Sequence, residues 1–189
     1  MFRDGMSLKE FAFYLKVLRR PTPIRLTPYM KMTYFAEYDE WKKDYLPSWS
    51  LKGKTVLDVG AGCGETAYLF FGEGAVKVFC VEPDFKRFGN LLYNMVKMDW
   101  DAPAWNRGFK IADLMDLPID YAKIDCEGCE MLLLNLEEDE LPPLVVEIHH
   151  QEIYDEFKRK FPHMEIKPRR KSLWIGKFDK AINHRGFLE

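Results

Sequence analysis

The chain has 189 residues, 47% apolar and 31% charged, with a formal net charge of −2, the make-up of one globular domain and not of a disordered chain. Near-neutrality argues against an extended nucleic-acid footprint, and the apolar runs, such as residues 131–134, fall far short of the roughly 20 residues of a spanning helix. Residues 11–18 are broken by Lys16 and lack a small-residue cleavage site, so the expectation is a cytoplasmic chain, without membrane contact, whose four cysteines stay reduced.

Ser7 and Glu10 form a capping box, and Leu8, Phe11, Leu15 and Leu18 recur at helical spacing until Pro21 and Pro23 end the helix. A second, aromatic-rich helix is expected over residues 33–45, closed by Pro47. Residues 1–50 therefore read as a helical extension that packs on the remaining domain, 51–189, or caps its site with Tyr34, Phe35, Tyr38, Trp41 and Tyr45.

From Lys54 onward short β-branched or apolar runs alternate with helical segments. Strands are expected over residues 55–59, 76–81, 109–112, 121–125, 144–148, 164–167 and 172–178, with helices over 65–71, 84–97, 130–136 and 151–161. Alternation of this kind implies a mainly parallel, doubly wound α/β sheet covered on both faces. Residues 168–171 are too few for a helical crossover, so the last two strands should pair as an antiparallel hairpin. The basic cluster Lys167, Arg169, Arg170 and Lys171 falls at its turn, where it reads as a solvated turn or a phosphate contact.

Three motifs carry chemistry. In the first, Asp58-Val59-Gly60-Ala61-Gly62-Cys63-Gly64-Glu65-Thr66, a buried strand runs through a glycine turn into a helix whose free amides would favour a carboxylate or phosphate. Glu65 stands where a dinucleotide fingerprint has glycine, and Asp58 would repel a pyrophosphate. The anion of Asp58 suits instead a ligand with an ammonium and a sulfonium, as in S-adenosylmethionine. In the second motif Glu82, followed by Pro83, ends the second strand 22 residues after Gly60, where an acid accepts hydrogen bonds from ribose hydroxyls; alternatively it is an exposed acid at a helix start.

The third is Ile124-Asp125-Cys126-Glu127-Gly128-Cys129-Glu130, at the carboxyl end of the fourth strand. With the glycine turn, Glu82-Pro83, Asn94 and residues 145–149 in the same order, it resembles the I-D-x-E-G-x-E signature of FkbM-type methyltransferases over roughly residues 56–178. The resemblance implies a Rossmann-like class I methyltransferase fold with S-adenosylmethionine as cofactor. It places Asp58, Gly60, Gly62 and Glu65, with Ala61 and Thr66, around the methionine part. Glu82 and Pro83 fall at the ribose, Asp125 in the same cleft, and Asp113 (or Asp116) beside the adenine amine.

For transfer to a hydroxyl, Asp125, Glu127 and His149 are the candidate proton acceptors; the two acids otherwise contact cofactor or cap the next helix. One of His149 and His150 should face the cleft. Lys123 and Glu147, inside neighbouring buried strands, are expected to form a mutual ion pair. Cys126-x-x-Cys129 has a metal-like spacing, yet zinc usually needs two such pairs; packing residues and no metal are expected. The leading function is O-methylation of a small-molecule or glycan hydroxyl. The alternatives are an RNA or protein methyltransferase and a non-catalytic scaffold of the same fold. No Asn/Asp-Pro-Pro-Tyr/Phe motif follows the fourth strand, which disfavours methylation of a base amino nitrogen.

Overall fold

A computed structural model of the chain describes residues 38–179. The helix expected after Ser7 and the start of the second helix lie outside them. Among the described residues seven strands form one sheet: β1 (Thr55–Val59), β2 (Lys77–Val81), β3 (Ala104–Trp105), β4 (Tyr121–Ile124), β5 (Leu144–Ile148), β6 (Glu165–Arg170) and β7 (Leu173–Phe178), in the order β3-β2-β1-β4-β5-β7-β6. Strand β7 runs antiparallel to both neighbours and every other pairing is parallel. The helices are α1 (Tyr38–Tyr45), α2 (Glu65–Gly72), α3 (Phe85–Met98), α4 (Ala112–Met115) and α5 (Gln151–Lys160), with 3-10 turns over Cys129–Asn135 and Glu138–Glu140. No helix among them is long and apolar enough to cross a membrane.

The central strands are buried along nearly their whole length because helices cover both faces. Alternate residues feed two cores. Leu57, Phe79, Ala122 and Val146 pack on one face, and Val56, Val78, Tyr121 and Val145 on the other, together with Trp41 and Tyr45 of α1. The second face also carries the sheet's buried charged side chains, Asp58, Lys123 and Glu147.

Three sequence expectations are corrected. The third strand is not residues 109–112 but the two-residue β3, where Trp105 stacks on Phe79 at 5.9 Å; Ala112 opens α4 instead. In place of an α-helix over residues 130–136, Cys129–Asn135 form a 3-10 helix. The basic cluster is not confined to the turn, because β6 runs on to Arg170. As an edge strand β6 tolerates Pro168, which has no N–H to donate.

Candidate functional site

The carboxyl ends of β1, β2, β4 and β5 open into a cleft of about 680 Å³. One wall is the glycine turn between β1 and α2. Gly60 and Gly62 have φ of +70° and +58°, and Gly64 takes φ +100° at the N-cap of α2. A Cβ on Gly60 would lie 1.7 Å from the Asp125 carbonyl oxygen, so only glycine lets the turn rest against the end of β4.

The turn is held by acids. Glu82, 3% exposed, accepts from the Gly62 and Asp84 amides, each at 2.8 Å. Glu65 Oε2 accepts from the Cys63 amide at 2.8 Å, while Glu65 Oε1 is buried without a hydrogen-bond partner. Burial raises the Glu65 pKa and nearby Asp58 adds to the rise, against hydrogen bonds from the backbone. Asn94, fully buried on α3, donates to the Cys63 carbonyl at 2.7 Å. Gly60 and Ala61 donate to Val81, Gly62 to Glu82, Cys63 to Glu65 and Gly64 to Ala61, so the turn's own amides are consumed internally. Glu65 lines the cleft and keeps this one buried carboxylate oxygen without a hydrogen-bond partner.

Beneath the turn lies an ion pair that replaces the expected Lys123–Glu147 one. Lys123 and Asp58 are register partners on adjacent strands, and Lys123 Nζ lies 3.2 Å from Asp58 Oδ1 and 3.8 Å from Asp125 Oδ2. It also donates to the carbonyls of Val59 and Gly60, at 3.0 and 2.9 Å. Thr66 Oγ1 donates to Asp58 Oδ2 at 2.5 Å. Burial works to lower the Lys123 pKa, but Asp58, Asp125 and Glu147 outweigh it, and the amine stays charged. Glu147 shares this face two residues beyond Val145, the β5 partner of Lys123, and Arg169 reaches it first from β6.

The other wall gathers Tyr45, Asp125, Glu147, His149 and Arg169. The Tyr45 hydroxyl donates to Glu147 and, at 3.2 Å, to Asp125. Arg169 bridges Glu147 and, at 2.9 Å, Asp44. His149 Nε2 lies 3.5 Å from Glu147 and 3.7 Å from Asp125, and its Nδ1 lies 3.3 Å from the fully buried Glu130. Hydrogen bonds to Glu130 and Glu147 push the His149 pKa up to about 10, which favours its imidazolium form at neutral pH. Burial and the Glu147 charge raise the Asp125 pKa as well, against the pull of Lys123 and His149. Asp125, Glu147 and His149 offer ligand atoms within 4.8 Å of one another, but a cation there would have to displace the His149 proton and compete with Arg169.

Of the candidate residues, Gly60, Ala61, Gly62, Glu65, Thr66, Glu82, Pro83, Asp125, Glu127 and His149 line the cleft together. Asp58 lies beneath it, fully buried. Asp113 does not line it: its carboxylate receives a two-pronged contact from Arg107, at 2.6 and 2.8 Å, and the Lys110 amide at 3.0 Å. His150 is exposed at the start of α5. Cys126 and Cys129 are not free packing thiols but a disulfide with Cα atoms 5.5 Å apart. Sequence reasoning named Tyr45 only among the aromatic residues of a possible cap and Arg169 only in the basic turn cluster, and it missed Glu130 as a site residue. For Glu130 the signal was present, as the last acid of the third motif.

No family model matches the chain. An 80-residue stretch, 40% of the chain, is 38% identical to the tRNA U34 carboxymethyltransferases of Pseudomonas savastanoi pv. phaseolicola and Pseudomonas syringae pv. syringae, and spans 25% of their length. Among solved structures, the C-terminal domain of precorrin-6Y C5,15-methyltransferase from Rhodobacter capsulatus superposes with TM-score 0.55 at 19% identity, covering 76% of this chain and 89% of that one. Aeropyrum pernix fibrillarin, solved with natively bound S-adenosyl-L-methionine, gives 0.52 at 15% identity over 77% of this chain and 74% of its own. M. capricolum TrmK, solved with S-adenosyl-homocysteine, gives 0.53 at 12% over 77% and 68%. At these identities the likeness shows the fold, the seven-stranded Rossmann-like arrangement of class I methyltransferases.

Proposed function

We propose that this chain is an S-adenosylmethionine-dependent methyltransferase acting on a hydroxyl of a small-molecule or sugar-type acceptor. The observation that carries the reading is Glu65: a carboxylate on the cleft wall, buried, with one oxygen lacking any partner. An unsatisfied buried acceptor is costly, and a ligand ammonium would satisfy it. The collision a Cβ would make at Gly60 fixes a close-packed turn beside it, and Glu82 stands on the wall for ribose hydroxyls. An acid-rich wall of this kind suits a sulfonium nucleoside and opposes a pyrophosphate. The likeness in fold to methyltransferases solved with S-adenosylmethionine or its demethylated product supports the same ligand.

When bound, S-adenosylmethionine supplies a methyl carbon already activated by the sulfonium. The chain's residues then align the acceptor, exclude water and take the hydroxyl proton. Asp125 is the proton acceptor in this reading: it lines the cleft, and burial raises its pKa while that of Glu147 is lowered. Glu147, with its pKa lowered by His149, Tyr45 and Arg169 against burial, stays ionised and holds the imidazolium of His149. His149 positions Asp125 and does not accept the proton.

A second reading, transfer to RNA, draws on Arg170 at the cleft rim and on the tRNA-modifying relatives. The test is a labelled-methyl assay on cell extract fractionated into small molecules, RNA and protein, run with wild type and Asp125→Asn. Label in the small-molecule fraction, lost in the variant, supports the leading reading. Label in RNA alone replaces it, and label in no fraction favours the scaffold.

A further inference from the structure

We infer that the Cys126–Cys129 disulfide is a redox site, reduced by a dithiol, whose state is read out in the cleft. The two cysteines bracket Glu127 and Gly128 at the carboxyl end of β4, and both are partly exposed. The ring they close holds Glu127 at φ +52° and Gly128 at φ +126°. A left-handed conformation is unfavourable for a side chain as large as glutamate and persists only where its surroundings impose it. The covalent tie is such an imposition.

Three contacts lead from this ring into the site. The Gly128 amide donates to Glu130 Oε2 at 2.6 Å, and Cys126 Sγ lies 3.9 Å from the same oxygen. Glu130 Oε1 holds the amide of His149 at 3.2 Å and its Nδ1 at 3.3 Å. On the opposite side, a Cβ built on Gly60 would meet Asp125 O at 1.7 Å and Cys126 Cα at 3.7 Å, so the glycine turn leans on the backbone that carries the disulfide. Opening the ring frees Glu127 to leave the left-handed region. That removes the fixed Gly128 amide from Glu130, and with it the clamp on His149.

The chemistry balances with an external dithiol. One thiolate of the reductant attacks a ring sulfur, and the other cysteine leaves and takes up a proton. The reductant's second thiol then resolves the mixed disulfide, giving two protein thiols and an oxidised dithiol. The chain's other cysteines do not compete. Cys63 and Cys80 are buried, and burial pushes the Cys63 thiol up to about 11, with Glu65 adding to it, and the Cys80 thiol well above its ordinary value.

The inference rests on the cofactor reading only for its affinity measurement. Full-length protein, oxidised and then treated with dithiothreitol, is alkylated while folded and mapped by mass spectrometry. Its hydrogen exchange over residues 121–135 and its affinity for S-adenosylmethionine are measured in both states. The expected result is alkylation of Cys126 and Cys129 only after reduction, with exchange faster and affinity weaker by at least about fivefold, the lower end of ordinary coupling between sites. Cys126→Ser/Cys129→Ser should match the reduced protein and ignore dithiothreitol. Alkylation of both residues after oxidation, or exchange unchanged within about twofold on reducing the wild type, overturns the inference, and neither result depends on the variant folding. Exchange that responds to reduction while neither state binds S-adenosylmethionine upholds the redox site and removes the cofactor reading.

Discussion

Replacing Lys123 by methionine tests the ion pair beneath the glycine turn. Lys123 is 1% exposed and Asp58 is not exposed at all, so the substitution leaves a carboxylate in the sheet without its cation. The Val59 and Gly60 carbonyls lose a donor as well. Removing one partner of a buried pair costs about 3–5 kcal/mol. For a chain of this size each kcal/mol lowers Tm by roughly 2–4 °C, so a fall of roughly 6–20 °C is expected. The assay is thermal and urea denaturation followed by circular dichroism for Lys123→Met, Asp58→Asn and the double variant. Because the partners touch, the double variant should be less destabilised than the sum of the singles by more than about 1 kcal/mol. A Lys123→Met loss below about 1 kcal/mol, or additivity within about 0.5 kcal/mol, would refute the assignment of Asp58 as the lysine's partner.

Gly60→Ala should lower stability by about 2–5 kcal/mol, from overpacking against the Asp125 carbonyl plus left-handed strain, and an unchanged melting curve would contradict the packing of the turn. The His149 pKa is raised from the ordinary 6.5 to about 10, so the stability it contributes is complete below about pH 6.5 and is lost as pH rises toward 10. Stability between pH 7 and 10 should fall less in His149→Gln than in wild type, and an imidazole that titrates by NMR near 6.5 would falsify the clamp by Glu130 and Glu147. Asp125→Asn should cut methyl transfer by roughly 10²–10⁴-fold with cofactor affinity little changed, measured by single-turnover label transfer; equal turnover would show that no base acts there.

The strands and the glycine turn were legible because they rest on local pattern. Residues 144–148 are continuously apolar apart from Glu147, and Val56 to Thr66 keeps a strand, three glycines and a helix in order. Where two readings shared a local pattern, the tertiary structure decided. Phe109 to Ala112 alternates like a strand, yet Asp113 captures Arg107 and the Lys110 amide and a short helix forms instead. The true third strand is two residues long and carries no period to read. Lys123 and Glu147 are buried in neighbouring strands, as expected. Their partners were not legible, because register puts Asp58 opposite the lysine and β6 brings Arg169 to the glutamate from 22 residues away. Tyr45, 102 residues from Glu147, gave no local sign beyond an aromatic-rich helix. The C-x-x-C spacing did carry the disulfide, but the same spacing also fits metal ligands and packing residues.

The central claim is that the cleft takes S-adenosylmethionine through Glu65. Calorimetric titration of wild type and Glu65→Gln with S-adenosylmethionine and S-adenosylhomocysteine tests it most directly. The expected result is one-to-one binding of both ligands by wild type, weakened about tenfold or more in the variant, the value of a hydrogen bond to a charged group. No heat from either ligand, or equal affinity in the two proteins, would contradict it.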